Sequence, residues 1–154
     1  MAANTKRDLS GSLLRHGELE RAQELAEQSA KTLQKLASEA PEEVSLQQEA
    51  ARALVQLGAS HLRRGDLAKA RKSYTDALTV LSRIPRIEPY HFSVLPVYLG
   101  LAETSKQLGD RAAAFAHVAS AESALAQLAG RFIGSPNLAA SRTVLAQLKQ
   151  ALDP

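Results

Sequence analysis

Core-type positions recur at spacings of three and four along most of the chain, which is the period of an amphipathic helix. Between Leu54 and Leu81 they fall at Leu54, Leu57, Gly58 and His61, then at Leu67, Ala70, Tyr74, Ala77 and Leu78. The rhythm breaks once, at Arg64-Gly65-Asp66. A glycine accepts the positive φ that ends a helix, and an aspartate after it can cap the next by accepting a hydrogen bond from a free N–H. The stretch therefore predicts a helix, a tight turn and a second helix.

The same corner recurs. Gly17-Glu18, Gly65-Asp66 and Gly109-Asp110 are 48 and 44 residues apart. Ala22, Ala70 and Ala114 each lie five residues past the glycine, and Ala26, Tyr74 and Val118 four residues further. Leu9, Leu57 and Leu101 precede the glycines by eight, each followed by a small residue, Ser10, Gly58 or Ala102. Small side chains at matched positions let paired helices approach closely, so the pattern predicts three helical hairpins.

Between corners the chain lengthens. After the first, Leu25, Ala26, Ala30, Leu33, Leu36, Ala37 and Ala40 continue one stripe, so that helix runs on, and Pro41 is placed to open the next. After the second comes IPRIEPYHFSVLP, whose prolines predict an irregular connection over about 84–92, with Ser93 as N-cap and Pro96 in the first turn. Gly130 and Gly134 bracket a break before Ser135-Pro136, and Leu138, Leu145, Leu148 and Leu152 stripe a last helix over about 136–152.

Leu54, Leu57-Gly58, His61, Ala70, Tyr74 and Ala77 fall on the spacing of a tetratricopeptide repeat, which this chain resembles. Leu54 replaces the family's first aromatic, His61 its Tyr, and Ser82 its closing Pro. The resemblance implies an all-α fold, a right-handed solenoid of three tetratricopeptide-like helical hairpins with a C-terminal capping helix. The repeats would span about 3–40, 41–84 and 93–131, within a single domain of 154 residues.

Composition narrows the function. Hydrophobic residues make up 45%, enough for a core, but aromatics only 4%, so Ala and Leu must build it. A net charge of +3 hints only weakly at an acidic partner. The absence of cysteine removes disulfides and thiolate metal sites. No apolar run approaches the roughly 20 residues of a membrane span, and no h-region follows the N-terminal basic residues. The expectation is a cytoplasmic protein without membrane insertion.

Candidate chemistry is sparse. His16, His61, His91 and His117 include no pair at the four-residue helical spacing of a zinc site. His61, at the family's Tyr position, is expected to pack or hydrogen-bond within its hairpin. There is no Gly-rich phosphate loop and no Gly-x-Ser-x-Gly elbow, and Glu42-Glu43 fits a helix start. No catalytic, cofactor or metal residue is assigned, and the expectation is a protein that is not an enzyme. The basic cluster Arg63, Arg64, Lys69, Arg71 and Lys72 has no interleaved aromatics, which disfavours nucleic acid.

In the family, the first helix of each hairpin lines a concave groove. Carried across by position, the resemblance implies Asn4, Arg7, Gly11, Leu14 and Arg15; Arg52, Val55, Ala59, Leu62 and Arg63; and Pro96, Leu99, Glu103, Lys106 and Gln107. The family's carboxylate clamp is not kept, since its positions hold Arg7, Gly11, Gln56, Pro96 and Gly100. The expected function is a protein–protein interaction scaffold that holds a peptide or helix of another protein in a partly basic groove, with guanidinium groups gripping carboxylates. Three alternatives stay open: a self-assembling module that uses the end helices or Tyr90–Leu95, a regulatory domain of a larger signalling protein, and a secretion-type chaperone.

Overall fold

The computed structural model describes Lys6 and residues 19–85, 88–129, 132 and 134–153. Among these the protein is all-helical, with six helices: α1 (Leu19–Glu39), α2 (Val44–Arg64), α3 (Leu67–Leu81), α4 (Glu88–Gln107), α5 (Arg111–Ala129) and α6 (Pro136–Leu152). The expected opening helix after Lys6 and the Gly17-Glu18 corner lie outside the described residues. The chain forms two compact units, Met1–Ile84 and Pro85–Pro154. No described helix is long and apolar enough to cross a membrane.

In the first unit α2 packs on both α1 and α3. Ala22, Ala26, Ala30, Leu33 and Ala37 form the buried stripe of α1, and Ala70, Tyr74, Ala77 and Leu81 that of α3. Gly58 brings α2 and α3 together, because a Cβ there would lie 2.9 Å from Cζ of Tyr74. Forty-four residues on, the same two positions hold Ala102 and Val118, both buried. A methyl stands in for the glycine where a valine stands in for the ring.

The Gly65 and Gly109 corners use the same hydrogen bonds. Gly65 has φ 80° and Gly109 φ 76°. The Gly65 N–H donates to Leu62 O (3.1 Å) and the Asp66 N–H to His61 O (2.9 Å). The Gly109 N–H donates to Lys106 O (3.0 Å) and the Asp110 N–H to Ser105 O (2.9 Å). This pairing satisfies helix-end carbonyls and needs a left-handed residue, which glycine supplies without a Cβ penalty. The two aspartates then differ. The Asp110 carboxylate accepts from the Ala113 N–H at 3.0 Å, as a cap should. Asp66 makes no side-chain cap bond, contrary to expectation. Its carboxylate is turned toward Arg64 Nε at 3.7 Å and His61 Nδ1 at 3.8 Å.

Both proline expectations need correction. Pro41 does not open α2. It sits in a turn closed by Glu43 N–H to Ala40 O (3.1 Å), and α2 starts at Val44. Pro96 is not in a first turn, and Ser93 is not the N-cap, because α4 already runs from Glu88 and carries Pro96 inside. Pro89 is the proline that occupies the first turn. The helix continues past Pro96 because Val94, Leu95, Val97, Leu101 and Ala102 are all buried, while Pro96 faces solvent. Packing outweighs one missing donor there.

The second unit packs α4, α5 and α6 against one another. Ala114, Val118, Ala121, Leu125 and Leu128 are buried on α5. Helix α6 follows its expected span and buries Leu138, Leu145, Leu148 and Leu152. The Arg111 guanidinium donates to Leu152 O, tying the start of α5 to the end of α6, and lies 5.8 Å from the Phe115 ring centroid.

Candidate functional site

The residues assigned to the groove fall on two helices, one in each unit. Arg7, Leu14 and Arg15 lie outside the described residues, as do Asn4 and Gly11. Arg52, Val55, Gln56, Ala59 and Arg63 are on α2, and Leu99, Glu103, Lys106 and Gln107 on α4.

On α2, Arg52 and Arg63 are exposed, while Val55, Gln56, Ala59 and Leu62 are half-buried. Ala59 packs against Ala22 of α1, so part of this helix face belongs to the α1–α2 contact. Arg52 Nη1 sits 3.1 Å from Glu49 Oε1, one turn back. Gln56 Oε1 has no hydrogen-bond donor among the described residues.

On α4, Leu99, Glu103 and Lys106 are half-buried and Gln107 exposed. Lys106 Nζ lies 2.7 Å from Glu103 Oε2, and Gln107 Nε2 donates to Glu103 Oε1 at 2.7 Å. Burial pushes the Glu103 carboxyl up, but the Lys106 and Gln107 hydrogen bonds and the Lys106 charge outweigh it and hold it below the ordinary carboxylate range.

The predicted cations are thus present, but Arg52 and Lys106 are each paired with an acid on their own helix. An acidic partner must compete with Glu49 and Glu103. Arg52 is exposed, and a surface pair of its kind contributes only about 0–1 kcal/mol, whereas Lys106 and Glu103 are both half-buried and their pair is the harder one to exchange. On α2 the face offers half-buried Val55, Ala59 and Leu62 beside the Arg52–Glu49 pair, and on α4 it offers half-buried Leu99 beside the Lys106–Glu103 pair.

His61 is buried in the α2–α3 hairpin, with its Nδ1 making no hydrogen bond. Burial lowers its pKa below 6.5; Lys69 and Arg64 push the same way and Glu27 and Asp66 oppose them. His117 is half-buried and shifted down by burial, against a smaller opposing pull from Asp110. In the basic cluster, Lys72 is paired with Asp76 at 2.5 Å and Arg64 with Asp66.

The apolar connection, expected to pack over helix ends or alternatively to serve as a contact surface, is helical from Glu88 onward and belongs to α4 there. Val94 and Leu95 are core residues, and Phe92 meets Phe132 edge to face at 4.8 Å.

Two polar groups that hydropathy patterns do not flag hold elements together. Gln47, fully buried, donates from Nε2 to Ala37 O at 2.7 Å and so satisfies the end of α1. Arg111 does the same for α6. The short loop before α2 is a signal for the first, but nothing local points to the second, since Arg111 and Leu152 are 41 residues apart.

No family model matches the chain, and no curated protein or solved structure matches it.

Proposed function

We propose that this protein is an interaction scaffold built of tetratricopeptide-like hairpins, and that the α2 face and the α4 face each take a peptide or helix of another protein. The observation that carries this reading is the corner repeated at Gly65 and Gly109 with the same backbone hydrogen bonds. It supports two copies of one hairpin design, and the half-buried strips on α2 and α4 are where that design leaves first-helix side chains accessible. Burial of Val55 and Leu99 by the partner would supply affinity at about 25 cal/mol per Å². Arg52 and Lys106 would exchange their intrahelical acids for acids of the partner and set its orientation.

The test places a photo-crosslinking amino acid at Arg52 or Gln107, both exposed, and at exposed control positions Thr75 on α3 and Gln147 on α6. A partner protein should be captured from the first two positions, and capture from Gln107 should fall in an Arg52→Glu/Lys106→Glu background of unchanged helicity. Equal capture from all four positions rejects the reading.

A further inference from the structure

We infer that the second unit carries a separate recognition site in the cleft between α5 and α6, and that its occupant is an acidic amphipathic segment of a partner protein, presenting an apolar side chain beside a carboxylate. The cleft has a volume of about 290 Å³ and is lined by Glu122, Leu125, Ala126 and Ala129 from α5 and by Arg142 and Leu145 from α6. That is at the lower end of the roughly 300–1,000 Å³ typical of ligand sites, a size for side chains rather than for a large cofactor.

Its charges select the occupant. Two ionic groups border an otherwise aliphatic floor. Glu122 is already engaged, with Lys149 Nζ 2.6 Å from its Oε1. Arg142 is exposed and has no ion pair or hydrogen bond among the described residues. The uncompensated charge of the cleft is therefore one guanidinium beside apolar surface. A guanidinium binds a carboxylate through two parallel N–H donors, whereas a second cation would meet only repulsion.

Helix α5 extends the floor. Phe115 and Ala119 are exposed and lie on the same helical side as Glu122 and Ala126, at spacings of four, three and four. A helix apolar on its outward side as well as its inward one is normally covered on both. An amphipathic helix laid along this seam would cover the outward side and bring its acidic flank to Arg142.

The probes are two synthetic helical peptides with leucines at helical spacing, one with glutamates flanking them and the other with lysines. Each is titrated into the isotope-labelled protein and followed by amide chemical shifts. The glutamate peptide should shift the amides of Leu125, Ala126, Ala129 and Leu145. Arg142→Glu should weaken it about fivefold and strengthen the lysine peptide by a similar factor. Because Arg142 is exposed and unpaired, helicity should not change, and circular dichroism checks this. Equal binding of both peptides, affinity indifferent to the charge at 142, or shifts confined to other residues would overturn the proposal. So would sedimentation showing a second copy of the chain seated on the cleft. The Arg52/Lys106 reversal does not alter this cleft, so either site can fail alone.

Discussion

A methyl group added at Gly58 would sit 2.9 Å from Cζ and 3.0 Å from Cε1 and Cε2 of Tyr74, a buried ring with little room to retreat. Gly58→Ala should therefore destabilise the protein by about 1–3 kcal/mol, seen as a lower urea midpoint with unchanged slope. His61 makes stability depend on pH. Its folded pKa lies below 6.5, so as pH falls through 6.5 the unfolded chain takes up the proton first. Stability from this group is complete above the unfolded value and is lost as the pH drops from there toward the folded one. The urea midpoint should fall on acidification from about pH 7.5 to about pH 5, and the fall should shrink in His61→Phe. An equal fall in that variant would assign the effect elsewhere, with His117, also shifted down by burial, as the next candidate. Sequence placed His61 inside the hairpin through its spacing from Leu54, Leu57 and Gly58 and through the resemblance, which puts it at the family's Tyr position. It could not show that Nδ1 goes without a partner, since that depends on where the Asp66 side chain turns.

Among the elements, the helices with a regular apolar stripe were legible from spacing alone: α1, the α2–α3 pair and α6, whose leucines at 138, 145, 148 and 152 are all buried. Helix α4 was not. Its apolar residues run on without a clear polar side, and three prolines stand near its start. Local rules delayed its start to Ser93 with Pro96 in the first turn, whereas the helix begins at Glu88 and burial of Val94, Leu95 and Val97 on either side of Pro96 holds it together. This has a measurable consequence. Pro96 is solvent-facing, so Pro96→Ala restores a backbone donor without disturbing the core and should stabilise the protein by about 1–3 kcal/mol. A destabilised Pro96→Ala would mean that the bend imposed by proline is needed for packing. The corners show the same division between backbone and side chain. Gly65 and Gly109 were readable because only glycine adopts positive φ freely, whereas Asp66 and Asp110 look alike in sequence and act differently, one turned toward Arg64 and His61 and the other capping α5.

At the scale of the molecule, two compact units each contain a corner of one design, and each presents a first helix with an aliphatic strip and an ion pair. The candidate site was legible as a set of positions and not as a charge. Counting cations made the faces basic, but Glu49 and Glu103 stand one turn from Arg52 and Lys106 and neutralise them. Arg142 reads from the sequence as one of the polar residues on the outer face of α6, and only the packing of α5 beside it makes a cleft. The measurement closest to the central claim is the ratio of partner crosslinked from Arg52 and Gln107 to that from Thr75 and Gln147. A partner recognised by the faces of α2 and α4 gives adducts predominantly from the first pair, diminished by the Arg52/Lys106 charge reversal. Adducts distributed evenly over the four positions, and unaffected by the reversal, would contradict it.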